Sequence, residues 1–274
     1  MALTELGDRP HDAWEFGLKY PGRIMCSDPS LPTDPAAGAA ILLSARMAKL
    51  VITWESHGTR IVWVRLRGAD YNTIFVSVYV PHKYRACPSQ AETLQELETL
   101  CRMLQHRFPK DQLIVAGDMN AKLTRNVQNL TGRYCMHYYS DSGGERLMEL
   151  MAHTNLVAAS TRFAPPRKNP LGQGTYINDK YTGKPTQIDY ILCDNKHMSN
   201  FKSCRVRWDL SMNVHGNKRD HGLIHMTTDA VEDPSPQAQG GKLSQPESTG
   251  VTRSAGGVRP EDRGRTRQDA SHED

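Results

Sequence analysis

The chain has 274 residues, a formal net charge of +4, 38% hydrophobic residues and six cysteines. This length allows a sizeable buried core, and the modest positive charge permits a polyanionic partner without requiring one. A zinc site is disfavoured because no Cys-x-x-Cys pair occurs, and neither an apolar leader nor a membrane-spanning apolar run is present. We therefore expect an intracellular chain, nuclear or cytoplasmic and not secreted, with unpaired thiols.

Both ends of the chain differ in composition from its middle. Residues 1–37 contain repeated prolines and predict a divergent, poorly ordered segment, with a weak strand signal between Trp14 and Tyr20. Residues 229–274 are rich in Pro, Gly, Ser, Gln and charge, and predict a disordered tail, because such a segment buries too little apolar surface to offset its ordering entropy. The folded domain is expected at residues 38–228.

Strand and helix patterns are mixed within this domain. Two Ser-x-x-Glu capping boxes, at Ser89 and Ser142, predict helices with apolar stripes, the first ending at Pro109. Alternating or continuous apolar runs predict strands, at Ala39–Leu43, Lys49–Trp54, Arg60–Arg67, Thr73–Val80, Gln112–Ala116, Leu156–Ala159, Thr175–Ile177, Gln187–Cys193, Arg205–Trp208 and Leu223–His225. Because strands and helices do not alternate strictly, we expect an α/β sandwich of two sheets with helices outside, rather than a barrel.

Four polar clusters lie at or near the ends of predicted strands. They are Tyr79-Val80-Pro81-His82, Gly117-Asp118-Met119-Asn120, Gln187-Ile188-Asp189-Tyr190 and Asp220-His221. Carboxylates bind hard divalent cations such as Mg²⁺. An aspartate can activate water, and an asparagine or histidine can bind phosphate oxygens as negative charge builds. The clusters therefore contain the groups that phosphoryl transfer needs.

Each cluster alone also has a purely structural explanation. Gly-Asp-x-Asn after a strand is a common turn, and Tyr79 with Pro81 suits packing at a strand end. Asp220-His221 is a weak signal by itself. Asp189 is harder to explain in this way, because burying a carboxylate in an apolar strand is costly without a partner. The order and spacing of all four clusters favour one shared site.

These motifs, in this order, resemble the endonuclease/exonuclease/phosphatase superfamily. Within it, the chain resembles the apurinic/apyrimidinic-type endonucleases of non-LTR retrotransposons and the craniofacial-development-protein-like proteins, from around Gly38 to Ile224. The resemblance implies a four-layer αββα sandwich with the active site at one edge of the two sheets. It also implies a metal-dependent DNA endonuclease that uses Mg²⁺ or Mn²⁺, with DNA as its partner and no membrane or obligate oligomer.

The resemblance implies a catalytic role for each matching residue. Asp118 would orient or deprotonate the attacking water, and Asn120 would hold the scissile phosphate. Asp189 would accept a hydrogen bond from His221 and fix that ring against the phosphate. Tyr79 would stabilise the developing negative charge.

The implied metal ligands are Asp220 and Asp118. Two neighbouring features modify this expectation. The Asp-His pair usually follows serine in this family, whereas here it follows Arg219, which would bind phosphate or compete with the metal for Asp220. Thr175-Tyr176 matches a segment that precedes the Asp189 strand, and structural support of the site is its expected role.

The largest departure from the family pattern concerns its first strands. The family opens with a strand carrying asparagine and then a strand ending in Gln-Glu, whose glutamate is a principal metal ligand. Neither finds a match before Gly38, and Glu5 and Glu15 lie in no such context. The first strands are therefore expected to be missing and metal binding to be impaired. Three hypotheses stay open: an active Mg²⁺-dependent DNA endonuclease, an inactive remnant that binds nucleic acid or protein, and a phosphatase acting on phospholipids or nucleotides.

Overall fold

The structure, a computed structural model, describes residues 1–4, 13–16, 22–28, 37–82, 89–167, 171–177, 183–209 and 220–229. All of them belong to one compact unit, Met1–Ser235. The predicted disordered tail lies outside the described residues except for Asp229, and so do Arg219 and Glu5.

The described residues form fourteen strands and three α-helices. In chain order the strands are β1 Ala2–Thr4, β2 Ala13–Phe16, β3 Gly22–Cys26, β4 Ala39–Ser44, β5 Val51–His57, β6 Ile61–Leu66, β7 Thr73–Tyr79, β8 Gln112–Asp118, β9 Leu156–Ala158, β10 Tyr176–Ile177, β11 Pro185–Thr186, β12 Asp189–Asp194, β13 Phe201–Arg207 and β14 Leu223–Thr228. The helices are α1 Ala45–Ala48, α2 Gln90–Arg107 and α3 Ser142–His153.

A six-stranded sheet in the order β5-β6-β7-β8-β12-β9 forms the centre of the domain. One of its faces packs against the apolar stripes of α2 and α3, which include Leu97 and Leu150. Its other face packs against the four-stranded sheet β1-β4-β3-β2, for example where Val62 and Val64 meet Ile41. Strands β13 and β14 form a separate pair whose apolar residues pack beside β8 and β12 on this same face.

The predicted α/β sandwich is confirmed by this arrangement of a helical layer, a central sheet and a second β layer. Helix α1 has a single turn, and its residues Met47 and Ala48 pack into the core between the two sheets. In the ranges that the structure describes, no helix longer than α1 packs against the four-stranded sheet. These ranges therefore show three of the four layers of an αββα sandwich.

Local sequence determines where the two long helices begin. The predicted capping box of α2 is confirmed, since the Glu92 amide donates to the Ser89 hydroxyl at 3.2 Å and the Ser89 amide donates to the Glu92 carboxylate at 2.7 Å. The second predicted box is wrong, because Asp141 caps α3 by accepting from the Gly144 amide at 2.8 Å. Aspartate and serine are equally good caps, and Ser142 is instead the first helical residue.

The first 37 residues contribute three strands that their local pattern does not predict beyond the weak signal near Trp14. Strand β3 pairs with β4 from Gly22 to Cys26, and Met25 and Cys26 are buried in the core. Strand β1 pairs with the other edge of β4. Both pairings with β4 join residues that are distant in sequence. Local alternation does not reveal such pairings, so the prolines led to the prediction of a poorly ordered segment.

Two further expectations concern cysteines and membrane spans. Five cysteines that the structure describes are buried and take part in no disulfide within the described ranges: Cys26, Cys101, Cys135, Cys193 and Cys204. Cys87 lies outside the described residues. None of the described helices is long and apolar enough to cross a bilayer.

Candidate active site

Sheet topology brings three of the predicted site residues to one edge. Strands β7 and β8 are parallel neighbours, so their carboxyl ends lie together, and Tyr79 pairs in register with Asp118. Strand β12 is antiparallel to β8, so its first residue, Asp189, pairs with Asp118. Side chains directly opposite each other in a sheet lie on the same face. Tyr79, Asp118 and Asp189 therefore share the face that packs against the second β layer.

His221 reaches this edge through the segment before β14. It pairs with Tyr176 as an isolated bridge, and the two rings are tilted with centroids 4.8 Å apart. The Gly222 amide donates to the Thr175 carbonyl at 2.7 Å. His221 Nδ1 lies 3.1 Å from Asp189 Oδ2, which is the predicted pair. Asp118, Asp189 and His221 each offer one potential metal-ligand atom, and these three atoms lie within 4.8 Å of one another.

The electrostatics of this group favour a protonated imidazole. Burial alone would lower the pKa of His221, but the neighbouring Asp189 carboxylate, the hydrogen bond to it and the charges of Asp118 and Asp220 raise that pKa to about 9. The imidazolium is therefore suited to contact an anion such as a phosphate.

The raised pKa of His221 predicts a pH-dependent stability. An unfolded histidine titrates near about 6.5, so the stabilisation is fully present below that pH and is lost as the pH rises through about 9. We expect the difference in unfolding free energy between wild type and His221→Gln to be largest in mildly acidic solution and smallest above pH 9. Urea unfolding of both proteins across this range measures it. A difference that stays constant with pH would contradict the pairing of His221 with Asp189.

Asn120 is tied directly to Asp118. Its backbone lies in the left-handed region, with φ at 44°, a conformation that asparagine tolerates better than most residues. Its backbone amide donates to Asp118 Oδ1 at 2.8 Å, and its side-chain amide donates to Asp118 Oδ2 at 3.1 Å and to the Val80 carbonyl at 2.9 Å. The Gly-Asp-x-Asn segment is thus both a turn and a means of orienting the carboxylate.

Thr175 has the supporting position that the sequence predicts. Its hydroxyl accepts hydrogen bonds from the amides of Ile188 and Asp189, each at 3.1 Å. The same segment holds Gly222 through the Thr175 carbonyl. Thr175 therefore fixes the start of β12 and the segment carrying His221 relative to each other.

Asp220 differs from its expected placement. It is exposed, its backbone carbonyl accepts from the Ile177 amide at 2.8 Å, and it is not a member of the group formed by Asp118, Asp189 and His221. Its charge still acts on His221. Arg219, which was predicted to bind phosphate, lies outside the described residues. Glu5, which matched no metal-binding context in the sequence, also lies outside them.

Arg60 is a site neighbour that the sequence does not reveal. It lies opposite Tyr79 across β6 and β7, with the Tyr79 amide donating to its carbonyl at 3.0 Å. The guanidinium carbon is 5.1 Å from the centroid of the Tyr79 ring, and the residue is only 2% exposed. A buried arginine places positive charge beside the phenol. An arginine at a strand start is usually exposed, so no sequence signal distinguished this one.

Gly117 allows β7 and β8 to approach closely next to Asp118. A Cβ at this position would lie 1.8 Å from the Val78 carbonyl oxygen, a backbone atom with little room to move. We expect Gly117→Ala to destabilise the fold by about 3 kcal/mol through overpacking, as measured by urea unfolding. Gly58→Ala is the control, because Gly58 also has a positive φ but has no atom within 4 Å of its Cβ position. Equal losses in both variants would contradict this account.

Comparisons with known proteins fit this geometry. No protein-family model matches the chain. Over 171 residues it is 29% identical to craniofacial development protein 2 of Bos taurus and 27% identical to that of Tragulus javanicus. Each alignment covers 62% of this chain and 28% of the relative, so the chain spans under a third of the length of these relatives.

Solved structures match a larger share of the chain. The catalytic domain of Xenopus laevis APE2 superposes with a TM-score of 0.57 at 13% identity, covering 80% of this chain and 79% of that one. The endonuclease domain of TRAS1, a telomere-specific non-LTR retrotransposon, gives 0.51 at 16% identity, covering 77% and 81%. The Neisseria 3′ phosphatase NExo, bound to a product DNA hairpin, gives 0.51 at 15% identity, covering 75% and 79%.

The fold is the α/β sandwich of these solved nucleases, and it resembles the endonuclease/exonuclease/phosphatase fold expected from the sequence. The predicted resemblance to retrotransposon endonucleases and craniofacial development proteins is confirmed. Within this fold, Tyr79, Asp118, Asp189 and His221 come together at one edge of the central sheet.

Proposed function

We propose that the chain is a metal-dependent phosphodiesterase that cleaves DNA as an endonuclease. The observation that carries this proposal is the grouping of Asp118, Asp189 and His221 on a fold shared with the TRAS1 endonuclease domain and the APE2 catalytic domain. Two carboxylates, one of them paired with a cationic imidazole, provide both a proton acceptor and an anion contact.

Each side chain of the site has a separate role in the proposed reaction. Asp118, held by Asn120, accepts the proton of the attacking water. The His221 imidazolium, oriented by Asp189, contacts a phosphate oxygen as negative charge builds. Tyr79 donates its hydroxyl to the same developing charge, with the Arg60 guanidinium beside its ring.

The carboxylates also suit a divalent cation in their donor type. Mg²⁺ prefers oxygen ligands and usually retains several waters, so Asp118 and Asp189 would hold it with water completing the set. When bound, such an ion polarises the phosphate and lowers the pKa of its bound water. Because only two carboxylates belong to the group among the described residues, we propose that affinity for the metal is low.

Conversion of supercoiled plasmid to the relaxed form tests this function. We expect nicking in the presence of Mg²⁺ that stops on addition of EDTA and is lost in Asp118→Ala, because that variant removes the proton acceptor. Lys202 and Asp229 form an exposed ion pair at 2.7 Å, so Asp229→Ala is the matched control and should nick as the wild type does. Nicking that survives in Asp118→Ala would remove the proposed site from the reaction.

A second candidate function is a nucleic-acid or protein binding module without catalysis. The small number of carboxylates in the group favours it. It predicts DNA binding that is unchanged by EDTA and no relaxed plasmid at any Mg²⁺ concentration. The same plasmid assay, combined with a binding measurement, separates the two candidates.

A further inference from the structure

Beyond the catalytic group, one surface segment combines exposed aromatic rings with basic side chains. It is the connection between β8 and α3, from Met119 to Asp141, and it is called the β8–α3 loop below. It contains Lys122, Arg125 and Arg133, and its single acidic residue, Asp141, caps α3. It also contains Tyr138 and Tyr139, which are 67% and 86% exposed. Two adjacent tyrosines so exposed within a predominantly basic segment form an aromatic, positively charged surface.

The β8–α3 loop is firmly attached to the strand that carries Asp189. The Tyr190 hydroxyl accepts from the Leu123 amide at 3.2 Å. The buried Gln187 side chain accepts from the Met136 amide at 3.0 Å. His137 Nε2 accepts from the Gln187 amide at 3.2 Å. The exposed tyrosines directly follow this anchored stretch, which places them on a fixed support connected to the start of β12.

Tyr138 is itself preorganised. The Arg125 guanidinium carbon lies 3.8 Å from the centroid of its ring, and the Arg125 amide donates to the His137 carbonyl at 2.8 Å. The arginine also donates to the Met136 carbonyl at 3.3 Å. Stacking on one face holds the ring in place and leaves the residue largely exposed.

We propose that Tyr138 and Tyr139 form a stacking platform for unpaired bases of a DNA strand that flanks the scissile phosphate. Exposed aromatic rings stack on any base whose face is free, and neighbouring cations follow the phosphate backbone. Bases inside a paired duplex are already stacked and present only their edges. The substrate class is therefore DNA with a single-stranded stretch, such as a gap, a flap or a frayed end. This inference deepens the proposed function and rests on it for the position of the scissile phosphate.

Binding measurements in EDTA test the platform without any cleavage. Fluorescence anisotropy is recorded with a labelled single strand and with the fully paired duplex of the same sequence, at one fixed ionic strength. We expect Tyr139→Ala to weaken binding of the single strand about tenfold and to change duplex binding less than about twofold. Tyr138→Ala should behave in the same way, and Tyr139→Phe should bind as the wild type does, because the ring is retained.

Two controls separate stacking from charge and from general surface change. Met103→Ala removes another exposed apolar side chain, 40% exposed on α2, and should leave binding unchanged. Arg125→Met should weaken binding of both DNAs. It should also reduce by about one the slope of the logarithm of the dissociation constant against the logarithm of the salt concentration, because one fewer counterion is released. Far-ultraviolet circular dichroism confirms that each variant is folded.

The outcomes distinguish this inference from the proposed function. Tyrosine-dependent binding of single strands without plasmid nicking would retain the platform and remove the catalysis. Equal affinity of wild type and Tyr139→Ala for the single strand, equal losses on single strand and duplex, or no binding of the single strand by the wild type would each overturn the platform, whatever the nicking assay shows.

Discussion

Replacement of Asp189 by asparagine is expected to lower the rate of plasmid nicking about a thousandfold while the chain stays folded. The asparagine is nearly isosteric, but it removes the negative charge that lies 3.1 Å from His221 Nδ1. Without that carboxylate, the main influences that raise the pKa of His221 are lost, so burial disfavours the charged form of the ring. Orienting carboxylates in other hydrolytic sites have effects of this size.

The experiment compares nicking rates and urea unfolding midpoints of wild type, Asp189→Asn and Asp229→Asn. Asp229 is exposed and paired only with Lys202 in the described contacts, so its asparagine variant should match the wild type in rate. A nicking rate unchanged in Asp189→Asn would exclude Asp189 from the mechanism. A large fall in its unfolding midpoint would mean that the lost rate reflects folding rather than chemistry.

A low nicking rate with weak binding of the metal is the second large effect that we expect. The nicking rate at saturating Mg²⁺ should be about two orders of magnitude below that of the endonuclease domain of TRAS1, measured in parallel. One missing transition-state contact is worth about 3 kcal/mol, which corresponds to this factor in rate. Half-maximal nicking should also need more Mg²⁺, because two carboxylates provide few of the six ligands that the ion requires.

Glu5→Gln provides the decisive control for this expectation. Glu5 directly follows β1 in the sequence, and the Leu3 carbonyl in β1 accepts a hydrogen bond from Ser77, two residues before Tyr79. If the site has only the carboxylates of the described group, Glu5→Gln should nick at the same weak rate as the wild type. A robust wild-type rate that is lost in Glu5→Gln would overturn the impairment and assign the missing ligand to Glu5.

The site was more predictable from the sequence than its surroundings. Strand ends are marked by a change from apolar to polar residues, and Asp118 and Asp189 each stand at such a change. Their pairing then follows from topology, since parallel and antiparallel neighbours of β8 bring opposite chain ends to one edge. The placement of Asp220 was not predictable in this way, because it depends on how the segment before β14 meets Tyr176.

Features that depend on distant partners escaped sequence-based prediction. Strand β3 has no clear alternation of its own and is defined by pairing with β4. The burial of Arg60 results from the packing of two sheets, which no local pattern records. The cap of α3 was misassigned because Asp141 and Ser142 are adjacent residues with similar capping ability.

The register of β7, β8 and β12 has a consequence for how the protein folds. Tyr79, Asp118 and Asp189 meet only after α2 has carried the chain from β7 to β8 and a long connection has returned it as β12. Contacts between residues so distant in sequence form slowly, because closing the intervening chain costs entropy first. The candidate site is thus assembled by the most non-local pairings of the central sheet. Its amide protons should exchange with solvent chiefly through global unfolding, so an intact site requires a completely folded chain.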